Sequence, residues 1–262
     1  MVKKSSSKEK IVELNQAVSG APASRRKGIY LLPNLLTTGA LFAGFYAVLS
    51  GFSGQYELAA IAIFTAMVFD GLDGRVARMT NTQSDFGVQY DSLSDMVSFG
   101  VAPAVVAYGW GVSNLGKFGL AAAFVYASCA ALRLARFNVQ TESADNKLFT
   151  GLPSPAAAAL IAGFVWSTYH VEPSFGLSVL GAVLTAVAGL LMVSNFKYPS
   201  FKQIDMRGKV PFIVILSVAM VFVVITIDPP RILFAMAMVF GFSAPIIWLA
   251  KKLGFRPPVG TE

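Results

Sequence analysis

Asp70-Gly-Leu-Asp73-Gly74-Arg75-Val-Ala77-Arg78, followed after eight residues by Gly87 and then by Asp91 and Asp95, places four acids inside runs that are otherwise apolar. Those runs cover about Leu58 to Met79 and about Tyr90 to Trp110, each near the length a helix needs to cross a bilayer. A charged side chain at the centre of a membrane helix costs roughly 2.5–3.5 kcal/mol even on a lenient insertion scale. Four of them require a compensating cation or water, and Arg75 and Arg78 can neutralise at most two. At about 100° per residue, Asp70, Asp73, Gly74 and Ala77 share one helical face, while Gly87, Asp91 and Asp95 form an i, i+4 row on the next helix. The two faces can meet as one four-carboxylate pocket.

The rest of the chain has a similar character. Of its 262 residues 55% are hydrophobic and only 13% charged, with a mean hydropathy of +0.62, unlike an average water-soluble domain. Further apolar runs cover about Leu31 to Ser50, Gly116 to Phe137, Pro155 to Tyr169, Phe175 to Val193, Val210 to Ile227 and Ile232 to Leu249. Several contain Gly or Pro that neighbouring helices must accommodate. The expected fold is all-α: a polytopic membrane protein of about eight transmembrane helices, the fifth being the shortest.

Lys and Arg number 21 against 14 Asp plus Glu, a net charge of +7. The basic residues flank apolar runs and form no aromatic-interleaved groove pattern, which argues against nucleic acid and for anionic lipid headgroups as partner. Residues 1–28 are rich in Ser, Lys and Arg and lack the apolar core of a cleavable signal peptide, so they are expected to stay attached on the cytoplasmic side. Ile11, Leu14 and Val18 fall there at helical spacing, which permits an amphipathic helix on the membrane surface, with a disordered tail as the alternative. With the amino terminus inside, the cytoplasmic loops gather Arg75, Arg78, Arg133, Arg136, Lys147, Lys197, Lys202, Arg207 and Lys209, and only Lys117 and Arg231 of the 21 basic residues lie outside. This asymmetry predicts a multi-pass protein of the cell membrane with both termini and the acidic pocket cytoplasmic. Residues 29–252 are expected to form the transmembrane catalytic domain and 253–262 a cytoplasmic tail. Cys129 lies alone in an apolar run, and His170 has no second His or Cys nearby, so neither suggests a disulfide or a transition-metal site.

All-oxygen ligands without His or Cys suit a hard ion such as Mg²⁺, Mn²⁺ or Ca²⁺, and hard ions suit phosphate substrates. Two such ions are the natural hypothesis for four carboxylates. Gly74 and Ala77 leave their face bare, so a nucleotide or pyrophosphate can approach the backbone, with Arg78 available for a phosphate oxygen. The competing readings are buried salt bridges, a solvated helix end, or a cation- or proton-coupled transporter. A transporter is expected to spread its acids along a transmembrane path, whereas these crowd near one helix end.

The array resembles the signature of the CDP-alcohol phosphotransferase family, D-x-x-D-G-x-x-A-R, eight residues, G-x-x-x-D-x-x-x-D, at every defined position. The resemblance implies that Asp70, Asp73 and Asp91 bind two divalent ions, and that Asp95 is the general base and a further candidate ligand. Ile29-Tyr-Leu-Leu-Pro33-Asn34-Leu-Leu-Thr37, Thr80-Asn-Thr-Gln-Ser84, Asp91-Ser-Leu-Ser-Asp95-Met-Val-Ser98-Phe-Gly-Val-Ala-Pro103, Arg133-Leu-Ala-Arg136-Phe-Asn138 and Phe149-Thr-Gly-Leu-Pro153-Ser-Pro155 are similar to segments of the membrane phosphatidylserine synthases of bacteria and archaea. That likeness, over roughly Gly28 to Ala159, implies transfer of a phosphatidyl group from CDP-diacylglycerol to L-serine, a six-helix core with two added helices, and a homodimer. Asn34 and Thr37 are similar to nucleotide-contacting residues, although Pro33-Asn34 is also a helix-start signal. Asn34, Thr37, Gly74, Arg78, Ser84 and Gly87 are the residues expected around CDP-diacylglycerol. Arg133 and Arg136 are the candidates for a fork on the serine carboxylate, with membrane anchoring as the alternative. Asn138 and Ser154 are lesser candidates still, read in the first place as helix-end residues. Other acceptors, such as glycerol 3-phosphate, inositol phosphate or choline, remain open.

Overall fold

Lipid offers no partner to a bare backbone, so apolar runs of Ala, Leu, Val and Phe satisfy their N–H and C=O groups internally as helices. The computed structural model describes residues 31–140, 148–199 and 212–253. Helices α1 (Leu31–Phe52) and α2 (Tyr56–Met79) pack along each other. Next, α3 (Asp85–Asp95) runs through a π turn (Met96–Val101) into α4 (Ala102–Trp110). A 3₁₀ turn (Val112–Leu115) leads to α5 (Lys117–Gln140), and β1 (Leu148–Thr150), α6 (Ser154–Thr168), α7 (Phe175–Val193), β2 (Lys197–Pro199), α8 (Phe212–Ile227) and α9 (Pro229–Lys252) follow. The amphipathic helix expected within residues 1–28 lies outside the described residues, as does the tail beyond Leu253.

Each of the eight apolar runs is helical wherever it is described. Among the described residues, four helices are long and apolar enough to cross a membrane, namely α1, α5 over Lys117–Val139, α7 and α9. The other runs depart from that pattern for local reasons. The acids and arginines of α2 dilute its hydropathy, the π turn divides the third run, and α6 and α8 have only 15 and 16 residues. Large apolar side chains on α1, α5, α7 and α8, Phe42, Phe124, Leu180 and Phe222 among them, are exposed as lipid-facing groups would be.

Small residues set the helix spacing, since close backbone approach is what packs helices in lipid. Ala47, Ala59, Ala60 and Ala66 are fully buried between α1, α2 and their neighbours. At Gly44 a Cβ would stand 2.6 Å from the Ser98 Cα, so α1 and the π turn meet backbone to backbone. Ser94 and Ser98 then donate their hydroxyls to the carbonyls of Thr37 at 3.2 Å and Ala40 at 3.0 Å, fixing the rotation of α3 against α1. The short α6 packs against α2, α4, α7 and α9, which explains why its buried residues are spread around its circumference.

Two helical rods carry an interior proline, which cannot donate to the carbonyl four residues upstream. Pro103 leaves the Phe99 carbonyl, and the buried Tyr126 of α5 donates its hydroxyl to it at 2.9 Å. Pro245 leaves the Gly241 carbonyl, and the buried Tyr198 of β2 donates to it at 2.8 Å. Around Pro103 the ladder widens to i→i+5 bonds, the Ala102 N–H reaching the Val97 carbonyl.

The all-α expectation omitted a two-stranded ribbon in which β1 and β2 pair antiparallel, Phe149 opposite Tyr198. Gly151 beyond it has φ +84°, where a Cβ would also collide with the Met192 carbonyl, so only glycine fits. Its N–H donates to the Phe196 carbonyl at 2.8 Å, and that of Leu152 to Leu191 at 2.9 Å.

Gly44→Leu is expected to force α1 from α3 and destabilise the protein by about 1–3 kcal/mol, the usual cost of overpacking. Thermal unfolding in detergent, read against Gly71→Leu, whose position has open space around it, measures this.

Candidate active site

The carboxylates lie where α2 and α3 converge. One oxygen from each of Asp70, Asp91 and Asp95 falls within 4.8 Å of the others. Asp73 points to the side of this group. It is buried, accepts a hydrogen bond from the Thr37 hydroxyl at 2.7 Å, and is near enough to Asp70 and Asp91 to repel both. The four acids expected on two facing surfaces therefore come together as a tight trio with one oriented neighbour.

No basic side chain closes on them. Among the described residues the ion pair within 4.0 Å is Arg231–Asp228, at the far end of the bundle. Arg133 is coupled electrostatically to Asp70 and Asp95, yet its Nη1 donates to the Ser154 hydroxyl at 2.6 Å. Clustered oxygens without a partnered cation, and without His or Cys, fit a hard divalent ion.

A cleft of about 480 Å³ opens beside the trio. Its lining includes every residue expected around the lipid nucleotide: Asn34, Thr37, Gly74, Arg78, Ser84 and Gly87. Asp73 and Asp91 line it too, so Asp91 is common to cleft and trio. A Cβ on Gly74 would meet nothing within 4 Å, and the wall is bare there as expected. Ser84 has a second task as the cap of α3, accepting from the Gly87 N–H at 3.1 Å.

The serine-binding candidates separate. Arg133 faces the carboxylates, whereas both Nη atoms of Arg136 donate to Asn195 Oδ1 at 3.3 Å. Asn138 accepts from the Ser92 hydroxyl at 3.1 Å and donates to Gln89 at 3.4 Å, joining α5 to α3. Thr82, Gln83 and Phe137 also line the cleft and were not singled out from sequence, because no charge or spacing marks them. Tyr126 escaped notice as well, the signal being Pro103, whose missing N–H requires a donor from elsewhere.

The chain belongs to the CDP-alcohol phosphatidyltransferase family, whose model matches residues 30–194. It is similar to a CDP-diacylglycerol–serine O-phosphatidyltransferase of Helicobacter pylori strain J99, 40% identical over 198 residues, which is 74% of this chain and 83% of the relative. A protein of that name from Methanocaldococcus jannaschii is 45% identical over 139 residues, 53% of this chain and 62% of its own. One from Bacillus subtilis is 35% identical over 172 residues, 66% of this chain and 92% of its own. Family membership and the apolar helices make this an integral membrane protein.

Asp91→Asn removes the residue shared by trio and cleft and is expected to weaken Mn²⁺ binding by about tenfold or more. Mn²⁺ titration of purified protein, followed by electron paramagnetic resonance without substrate, measures it.

Proposed function

We propose that this protein transfers the phosphatidyl group of CDP-diacylglycerol to the hydroxyl of L-serine, giving phosphatidylserine and CMP. The observation that carries the reading is the continuity, through Asp91, between a three-carboxylate cluster and a cleft lined by Asn34, Gly74 and Arg78. The serine-specific names of the Helicobacter, Methanocaldococcus and Bacillus relatives support the acceptor.

Asp70, Asp73, Asp91 and Asp95 would hold two divalent cations, Mg²⁺ or Mn²⁺, which would supply positive charge to the pyrophosphate and to the charge developing on CMP. Thr37 orients Asp73 through its hydroxyl, so it serves the site as much as the nucleotide. Gly74 and Ala77 let the pyrophosphate approach α2, and Arg78 binds a phosphate oxygen. Asn34, Ser84 and Gly87 form the opposing wall. Asp95 accepts the proton of the serine hydroxyl, and the oxygen so exposed attacks the phosphorus bearing diacylglycerol. The bond from that phosphorus to the CMP oxygen breaks, and CMP leaves with the electron pair. Arg133, near enough to Asp70 and Asp95 to act on both but outside pairing distance, is suited to hold the serine carboxylate. Arg136, engaged with Asn195, is the second candidate.

The same reading includes eight spans with a six-helix core, both termini and the site on the cytoplasmic face of the cell membrane, and a homodimer. The family match over residues 30–194 covers α1 to α7, and the distribution of basic residues supports the orientation.

Purified protein supplied with CDP-diacylglycerol and Mn²⁺ or Mg²⁺ is expected to release CMP with serine and not with glycerol 3-phosphate, inositol phosphate or choline. Release with glycerol 3-phosphate alone overturns the acceptor. Asp95→Asn is expected to abolish turnover while sparing lipid binding. Arg133→Ala is expected to raise KM for serine by about tenfold or more, with less effect on KM for the lipid. An equal effect on both points to a role in the fold.

A further inference from the structure

The third rod carries Asp91 and Asp95 on one side of the π turn and Pro103 on the other. A π turn holds about one residue more than an α turn, so closing it would rotate the preceding segment by about 100° relative to the following one. The direction of Asp95, the residue immediately before the turn, therefore depends on the turn persisting. Pro103 makes it possible by withholding the N–H that would otherwise return to Phe99. The Phe99 carbonyl, in a residue with no exposed surface, thereby loses the donor that an α-helical register would give it. Its donor is the Tyr126 hydroxyl at 2.9 Å, from a side chain with no exposed surface.

We infer that Tyr126 is a positioning residue for Asp95: by holding the Phe99 carbonyl it keeps the π turn open and aims the carboxylate at Asp70 and Asp91. Three further observations support the role. The turn is gripped on its other side by α1, where Ser98 donates to Ala40 and packs on Gly44. Gly189 brings α7 against the backbone of Tyr126, a Cβ there standing 2.8 Å from the Tyr126 Cα, so the stretch of α5 that carries the ring is fixed against α7. Arg133 lies two turns further along α5, on the same side of the helix as Tyr126, so one helix carries the turn's support and the candidate serine ligand. This role depends on Asp95 acting as base and ligand in the proposed reaction.

The test uses Tyr126→Phe, Pro103→Ala, their combination and Tyr198→Phe in the full-length protein purified in detergent. Tyr198→Phe strands a carbonyl in α9 by the same chemistry and is the comparator for a purely structural loss. Both tyrosine variants are expected to melt earlier. Only Tyr126→Phe should lower kcat by about tenfold or more and weaken Mn²⁺ binding without substrate, with KM for CDP-diacylglycerol changed less than about twofold. The melting loss from Tyr126→Phe should shrink in the Pro103→Ala background, where the new N–H can take the Phe99 carbonyl, while kcat stays low because the turn closes. If Tyr126→Phe alone does not fold, the combined variant carries the kcat measurement. Parental kcat in a folded Tyr126→Phe or combined variant, or strictly additive melting losses, overturns the inference. An active Asp95→Asn overturns both this role and the base. An inactive Asp95→Asn beside a fully active Tyr126→Phe overturns the positioning role alone.

Discussion

Carboxylates gathered within a few ångströms of one another, away from bulk water, repel each other, and the fold has to hold them against that repulsion. Asp70, Asp91 and Asp95 do not hold themselves together. Their positions come from the apolar packing of α1 on α2 and from the serine hydroxyls that lock α3 to α1. Asp73 accepts from the Thr37 hydroxyl, and Asp70 and Asp95 lie in carboxyl–carboxyl contact with each other. The strain of the cluster is thus borne by neutral contacts around it, which leaves the carboxylate oxygens themselves available to a cation.

Much of this was legible in the chain. The 3.6-residue period predicts that Asp70 and Asp73 share a face and that Asp91 and Asp95 form a row, and the runs of apolar residues predict the helices. Hidden from sequence was the division of labour among the acids, because the angle between α2 and α3 decides that Asp95 joins the trio while Asp73 turns to Thr37. The separation of Arg133 from Arg136 was hidden for a similar reason. The two sit three residues apart at one helix end, and only their partners Ser154 and Asn195, from distant segments, distinguish them. The ribbon escaped because three residues per strand give too short an alternation to stand out from a loop.

Pro103 and Pro245 show how a rod can be broken in lipid without leaving an orphaned carbonyl. Each break is matched by a tyrosine from a segment distant in sequence, so the helix irregularity and the tertiary contact exist together or not at all. In α9 this fastens the ribbon to the last helix. In the third rod it fastens α5 to the turn beside Asp95.

At 15 residues, α6 is about 22 Å long, against a hydrocarbon layer of about 30 Å. Its amino end is continued by non-helical chain in which the N–H groups of Gly151 and Leu152 donate to the carbonyls of Phe196 and Leu191, while Pro153 has none to satisfy. Non-helical backbone is tolerated at such depth only where protein surrounds it. Ser154, the first residue of α6, accepts from Arg133 just where that chain turns into the helix, so the guanidinium that acts on Asp70 and Asp95 is anchored at the start of this short helix. Lengthening or shortening the chain from Gly151 to Pro153 would move that anchor, so a loop distant in sequence from the carboxylates has a hold on the charge beside them.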